Sequence, residues 1–202
     1  MLVDAYLLSP RQREIAEAAL SILSNTGVQS LTMKMIAARL QITDAALYRH
    51  FQNKEELLEG IALLFEESSR KTLERIAAEN LAPLERVKTF FLDRCRAFSR
   101  SKGLTMVLFS EELFKSEKCV SRRLSSLMVS HEEVLSHSLK EAQREGTIDP
   151  AIPPSHLFIM IMGSLRLLVT QWRNSDGAFS LVDEGEKLWG TLEGRILRGE
   201  SR

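Results

Sequence analysis

The sequence predicts an all-α protein of about nine helices, with a three-helix N-terminal head ahead of a larger C-terminal helical bundle. Three observations predict it. Apolar residues recur at helical spacing through nearly all of the 202 residues, and no convincing run alternates apolar with polar residues as a half-buried strand would. Capping residues, prolines and glycines recur at intervals of one helix length. Hydrophobic residues make up 44% and charged residues 27%, a balance that supports a core and argues against disorder.

Ser9-Pro10-Arg11-Gln12 reads as a capping box with Pro at the first helical position, and Ile15, Ala19, Ile22 and Leu23 give the first helix one apolar face. Asn25-Thr26-Gly27 is expected to end it, Gly27 suiting the left-handed terminal position. Thr32 is the N-cap expected for a second helix, about 33–40, and Thr43 for a third, about 44–50. Asn53, with Glu56 three residues on, caps a long fourth helix bearing Leu57, Ile61, Leu64, Phe65 and Ile76. Pro83 opens a fifth, which Gly103 is expected to break. A short helix at about 104–114 and a long one at about 117–145 follow, the latter ending at Gly146. Pro150, Pro153 and Pro154 lead to an apolar helix at 155–173. A turn at 174–177 precedes the last helix, about 181–197. The expected organisation is a head at 1–53 and a larger helical domain at 54–202, whose first element is a connector helix at 54–79.

Formal net charge is zero, so any nucleic-acid footprint has to be local. Residues 1–54 hold six Lys/Arg against four Asp/Glu, a local charge of +2. Cys95 and Cys119 have no metal-ligand spacing, and His131, His137 and His156 are scattered, so neither zinc nor another cofactor is expected. Reduced thiols and the absence of a signal-like N-terminus point to the cytoplasm. The stretch 157–172 is interrupted by Arg166 and Gln171 and is too short for a comfortable membrane span.

Two short capped helices joined by about three residues suggest a helix-turn-helix. Its inner set is Ile36, Ala37, Leu40, Ile42 and Leu47; Ala37 is small where the helices cross, and Ala45 and Ala46 keep the outer face low for close approach to DNA. Residues 31–58, LTMKMIAARLQITDAALYRHFQNKEELL, resemble the head of the tetracycline-repressor (TetR) family. The shared features are Thr32 opening the second helix, Ala37 in its middle, and the run Leu47, Tyr48, His50, Phe51 followed by Lys54. One departure is Gln41 at a turn position where Gly is common. A left-handed non-Gly residue costs on the order of 1 kcal/mol.

The resemblance implies a third helix lying in the major groove with Thr43, Asp44 and Ala45 as base readers. Asp44 could accept from a cytosine amine, or its charge could serve the helix dipole. Thr32, Tyr48, His50 and Lys54 match the family's phosphate clamp; Arg39 and Arg49 read as flanking charges that could touch phosphate, and Lys34, early in the second helix, could also reach the backbone. Phe51 is assigned to packing the head on the connector helix. Paired half-sites imply a two-fold homodimer, expected through the last two helices. Gly163 and Ser164 would allow close approach there, with Trp172, Leu188, Trp189, Leu192 and Ile196 in the interface. The middle helices would enclose a small, largely apolar ligand among Phe91, Phe98, Met106, Phe109, Phe114, Met128, Leu135, Phe158 and Met162. Each of these also reads as plain core. Arg166 could meet a ligand carboxylate, but reads better as sitting at the helix's wet edge or pairing with an acid such as Glu111 or Glu112.

The expected mechanism is repression of a double-stranded DNA operator, relieved when ligand shifts the connector helix. No enzyme motif appears, and adjacent acid pairs such as Glu55-Glu56 do not converge on a substrate. Two alternatives remain open: the same head controlled by a protein partner, and a helical interaction module without DNA binding.

Overall fold

The structure is a computed structural model that describes residues 7–110 and 118–197. Among the described residues it contains nine α-helices, one terminal π-helical turn and no strand. The helices are α1 Pro10–Ser30, α2 Met33–Leu40, α3 Asp44–Tyr48, α4 Lys54–Ala78, α5 Pro83–Arg100, α6 Lys102–Leu108, α7 Lys118–Arg144, α8 Pro154–Asn174 and α9 Leu181–Thr191, with the π turn at Leu192–Leu197. The chain divides into two compact units, one of Met1–Arg70 with Ser101–Leu127 and the other of Lys71–Arg100 with Met128–Arg202.

The caps expected from sequence form. Ser9 Oγ accepts from the Gln12 amide while the Gln12 side chain accepts from the Ser9 amide, closing the box at α1. Thr32 and Thr43 each accept from the amide three residues on, at 3.2 Å. Asn53 Oδ1 accepts from the Glu56 amide at 2.8 Å. Gly146 (φ 73°) and Gly177 (φ 79°) take the left-handed conformation after α7 and α8.

Two stops differ from expectation. Gly27 leaves helical geometry (φ 76°, ψ 169°) but the chain turns helical again as far as Ser30, so it kinks α1 rather than ending it. Gly103 does not break a helix. Ser101 caps α6, and Gly103 sits inside that helix because it lies against α1. A Cβ there would come within 2.1 Å of the Leu20 carbonyl oxygen, and the Gly103 amide donates to Ser24 Oγ at 2.9 Å.

In the first unit, α1, α2 and α3 share a core of Ile15, Ala19, Leu23, Ile36, Ala37 and Leu47. Phe51, 1% exposed, lies on α4 at Gly60, where an added Cβ would stand 2.8 Å from the ring, so the role expected for Phe51 is the one seen. In the second unit α9 lies on α5. Trp189 stacks obliquely on Phe91 (centroids 5.5 Å apart), and Gly185 admits Cys95. Burial pushes the Cys95 thiol up to about 12, against the opposing charge of Arg96. Trp172, Trp189 and Leu192 therefore belong to their own chain's core, which corrects the expectation that they face a partner. The side chain of Ile196 lies outside the described residues.

Candidate nucleic-acid interface

The turn between α2 and α3 is set by Gln41, which adopts φ 54°, ψ 42° and whose amide donates to the carbonyls of Ala37 and Ala38. That left-handed residue redirects the chain within three residues, and the Ile42 amide closes the turn on Ala37 O at 3.0 Å. Leu47 is fully buried, so the opposite face of α3 is turned outward. On it Thr43, Asp44 and Ala45 are exposed and Tyr48 is 47% exposed. Thr32 and Lys34 are exposed at the start of α2, Arg39 at its end, and Arg49 directly after α3; His50 is half-buried. The expected DNA-contacting side chains thus share the first unit, on or beside one helix-turn-helix.

Two of them also hold the head together. The His50 carbonyl accepts from Gln12 Nε2 at 3.2 Å, tying the end of the motif back to α1. The Lys54 ammonium donates to Val28 O at 2.6 Å and reaches Gln29 O at 3.5 Å, so it closes the carbonyl end of α1.

Two ion-pair sets brace the N-terminal part of α4. Arg13 of α1 binds Glu67 at 2.5 Å. Arg123 of α7 binds Glu66 at 2.8 Å and Glu59 at 3.0 Å, two turns apart on one face of α4, and burial that would lower its pKa is outweighed by those carboxylates. Neither partnership was legible locally, because each joins residues more than fifty positions apart.

The expected ligand-pocket residues fall in both units. Phe91, Phe98, Leu135 and Phe158 are buried, and Met162 is half-buried, in the second. Met106 and Phe109 are half-buried in the first. Met128 and Arg166 are exposed on the described chain. Phe114, Glu111 and Glu112 lie outside the described residues. A cavity of about 310 Å³ opens in the first unit, lined by Leu7, Leu8, Gln12, Phe51, Glu56, Glu59, Gly60 and Leu63, none of them expected from sequence.

The second unit holds a buried polar cluster that sequence reasoning missed. Arg94, 1% exposed, donates through Nη2 to Asp93 Oδ2 at 2.6 Å and to Thr72 Oγ1 at 2.9 Å. Burial alone would raise the Asp93 pKa, but its bonds to Thr72 and Arg94 and the charges of Arg94 and Arg75 hold it below the ordinary value. His131 lies beside this cluster, edge-on to Phe90. Among the described residues no group of acids, cysteines and histidines converges as a metal site, and no helix is long and apolar enough to cross a membrane.

Comparison with known proteins agrees with this architecture. The family profile described as "Bacterial regulatory proteins, tetR family" matches residues 15–61, and that described as "YsiA-like protein, C-terminal region" matches residues 64–193. The nucleoid occlusion factor SlmA of Vibrio atlanticus (strain LGP32) is 30% identical over 93% of this chain and 96% of its own. Among solved structures, the fatty acid degradation regulator FadR from Bacillus halodurans superposes with a TM-score of 0.79, at 21% identity, covering 95% of this chain and 98% of that one. AibR, solved in complex with isovaleryl coenzyme A and operator DNA, superposes with a TM-score of 0.71, at 25% identity over 90% of this chain and 97% of that one. With a helix-turn-helix in the first unit and profiles covering both the head and the greater part of the chain, the chain belongs to the bacterial regulatory proteins of the tetR family, and is a DNA-binding regulator and not an enzyme.

Proposed function

We propose that the protein is a cytoplasmic transcriptional repressor that binds a palindromic operator as a homodimer and releases it when a small, largely apolar ligand binds. The observation that carries the DNA part is the outward face of α3, where Thr43, Asp44 and Ala45 stand exposed at the helix start and Tyr48 one turn later. The first three read base edges; Thr32, Lys34, Tyr48, Arg49, His50 and Lys54 hold the phosphates and fix the register. In this reading residues 1–53 are the reading head, and residues 54–202 sense the ligand and pair the subunits.

Pairing is supported by the outer face of α8. Ile159 (64% exposed), Gly163 and Leu167 (60% exposed) repeat at four-residue spacing, and nothing lies within 4 Å of a Cβ built at Gly163, Gly190 or Gly194. A second copy would cover that stripe and use the glycines for close approach. Ligand control is supported by AibR, solved with both a coenzyme A thioester and operator DNA. The coupling runs through α4, a continuous helix from Lys54 to Ala78, and the energy available is the ligand's differential affinity for the two states.

Selection of bound sequences from a random duplex library, with the purified protein, tests this reading. The expected result is a palindromic consensus whose affinity falls steeply with salt and weakens on Tyr48→Phe. No enrichment at low salt by a folded dimer would refute operator binding by the unliganded protein. A second reading is the same head answering to a protein partner, in a chain that resembles a nucleoid occlusion factor over nearly its whole length. It predicts a selected consensus with no small-molecule release.

A further inference from the structure

We propose that His131 and Arg94 form the recognition end of a ligand site in the second unit, one that takes the carboxylate of an otherwise apolar acid. This rests on the reading that a small molecule controls the protein, and names the chemistry of that molecule.

His131 stands on the buried face of α7 with Leu135, Ser138, Leu139 and Ala142. It is 2% exposed, and neither Nδ1 nor Nε2 has a hydrogen-bond partner among the described residues. A neutral imidazole carries one N–H and one lone pair, and burying both unanswered is unfavourable where a leucine would sit without penalty. Among the described residues the fold supplies this imidazole no hydrogen-bond partner, which leaves both ring nitrogens open to one that a ligand brings.

The neighbours define that partner. The Phe90 ring lies 5.0 Å from the imidazole, edge-on, and the Arg94 guanidinium carbon lies 5.3 Å from the centre of the same ring. The guanidinium is oriented by Thr72 and Asp93, and Asp93 is shared with Arg75, whose Nη2 lies 3.6 Å from its Oδ1. The positive charge of Arg94, second to burial itself, disfavours protonation of His131. That field repels a cation and favours an anionic oxygen that accepts from the imidazole N–H. A phosphate would bring more charge than one imidazole and one already engaged guanidinium can answer. An alcohol would leave the field unused. A single carboxylate fits, with its hydrocarbon part among side chains such as Phe91, Phe98 and Phe158 that make up this unit's core. Because the imidazole is sealed, entry has to displace core side chains, and that displacement links binding to a change of shape.

The test uses the full-length protein with octanoate, and 1-octanol as its neutral twin, by calorimetric titration and thermal melting at pH 7.5. The unliganded His131→Leu variant is expected to melt above the wild type. Octanoate should bind the wild type and raise its Tm, bind His131→Leu at least tenfold more weakly, and recover part of its affinity in His131→Gln, which keeps a donor and an acceptor. A His131→Leu protein that melts lower, or fails to fold, makes the imidazole structural and overturns the proposal. Equal octanoate binding to both proteins, binding to neither, or octanol binding as well as octanoate also overturns it. The same proteins are then titrated with a fluorescent duplex of the selected consensus. Octanoate that binds through His131 but leaves DNA affinity unchanged upholds the site and overturns small-ligand control.

Discussion

At the scale of single residues, Lys54 joins a contact within the fold to the phosphate role proposed for it. Its ammonium closes the carbonyl end of α1 at Val28, so Lys54→Met should lower unfolding stability by about 1–2 kcal/mol as well as weaken DNA binding. Tyr48→Phe should weaken DNA binding while stability stays within about 0.5 kcal/mol, since its ring is half exposed and Leu47 carries the core contact. Urea melts beside duplex titrations separate the two. His131 predicts a pH effect. Burial, and then the charge of Arg94, lower its pKa from 6.5 to about 4. The unfolded chain therefore takes up a proton at a pH where the folded chain does not, and stability falls as pH drops from about 6.5 to about 4, by a few kcal/mol in order of magnitude. Below that window both states are protonated and the loss is complete. Thermal melts of wild type and His131→Leu across this range should diverge, with the variant showing the shallower slope; parallel slopes would mean that the imidazole titrates normally in the fold.

At the scale of elements, the local signals carried far and the long-range ones did not. Ser9, Thr32, Thr43 and Asn53 were readable as caps because a cap is satisfied within three residues of itself. Gln41 was readable as the left-handed residue because it stands at a turn position where the resembling family commonly has Gly, and its φ is 54°. Gln41→Gly should accordingly stabilise the head by about 1 kcal/mol, read from the midpoint of chemical unfolding. Gly103 was misread because helix-breaking and close approach use the same residue. Only the distance to Leu20 of α1 distinguishes them. Gly103→Ala should cost about 1–3 kcal/mol by overpacking, while an alanine at the open Gly163 position should leave the unfolding free energy of the isolated chain little changed. Trp189 was misassigned for a related reason. Periodicity marks a buried face on α9 through Leu181, Gly185 and Trp189, but it does not say whether the cover is the chain's own α5 or another molecule.

At the scale of the whole molecule, the fold class and the head's motif were legible in the sequence, and the buried Arg94–Asp93–Thr72 cluster was not, since Thr72 and Arg94 stand twenty-two positions apart on different helices. The same scale holds the dimer prediction: Ile159→Glu with Leu167→Glu should give a monomer in sedimentation velocity and a loss of operator affinity, with the helical content unchanged. A dimer that survives both charges would place the interface elsewhere. The pairing of Arg123 with Glu59 and Glu66 bears on how such regulators can be recombined. A chimera that grafts residues 1–70 onto the remainder of a relative keeps both glutamates but inherits that relative's residue opposite them. Where it is not basic, two acids on one face of α4 lose the cation they share. The transplantable part of this protein is therefore discontinuous in sequence, and a working exchange of heads has to carry the segment around Arg123 with it.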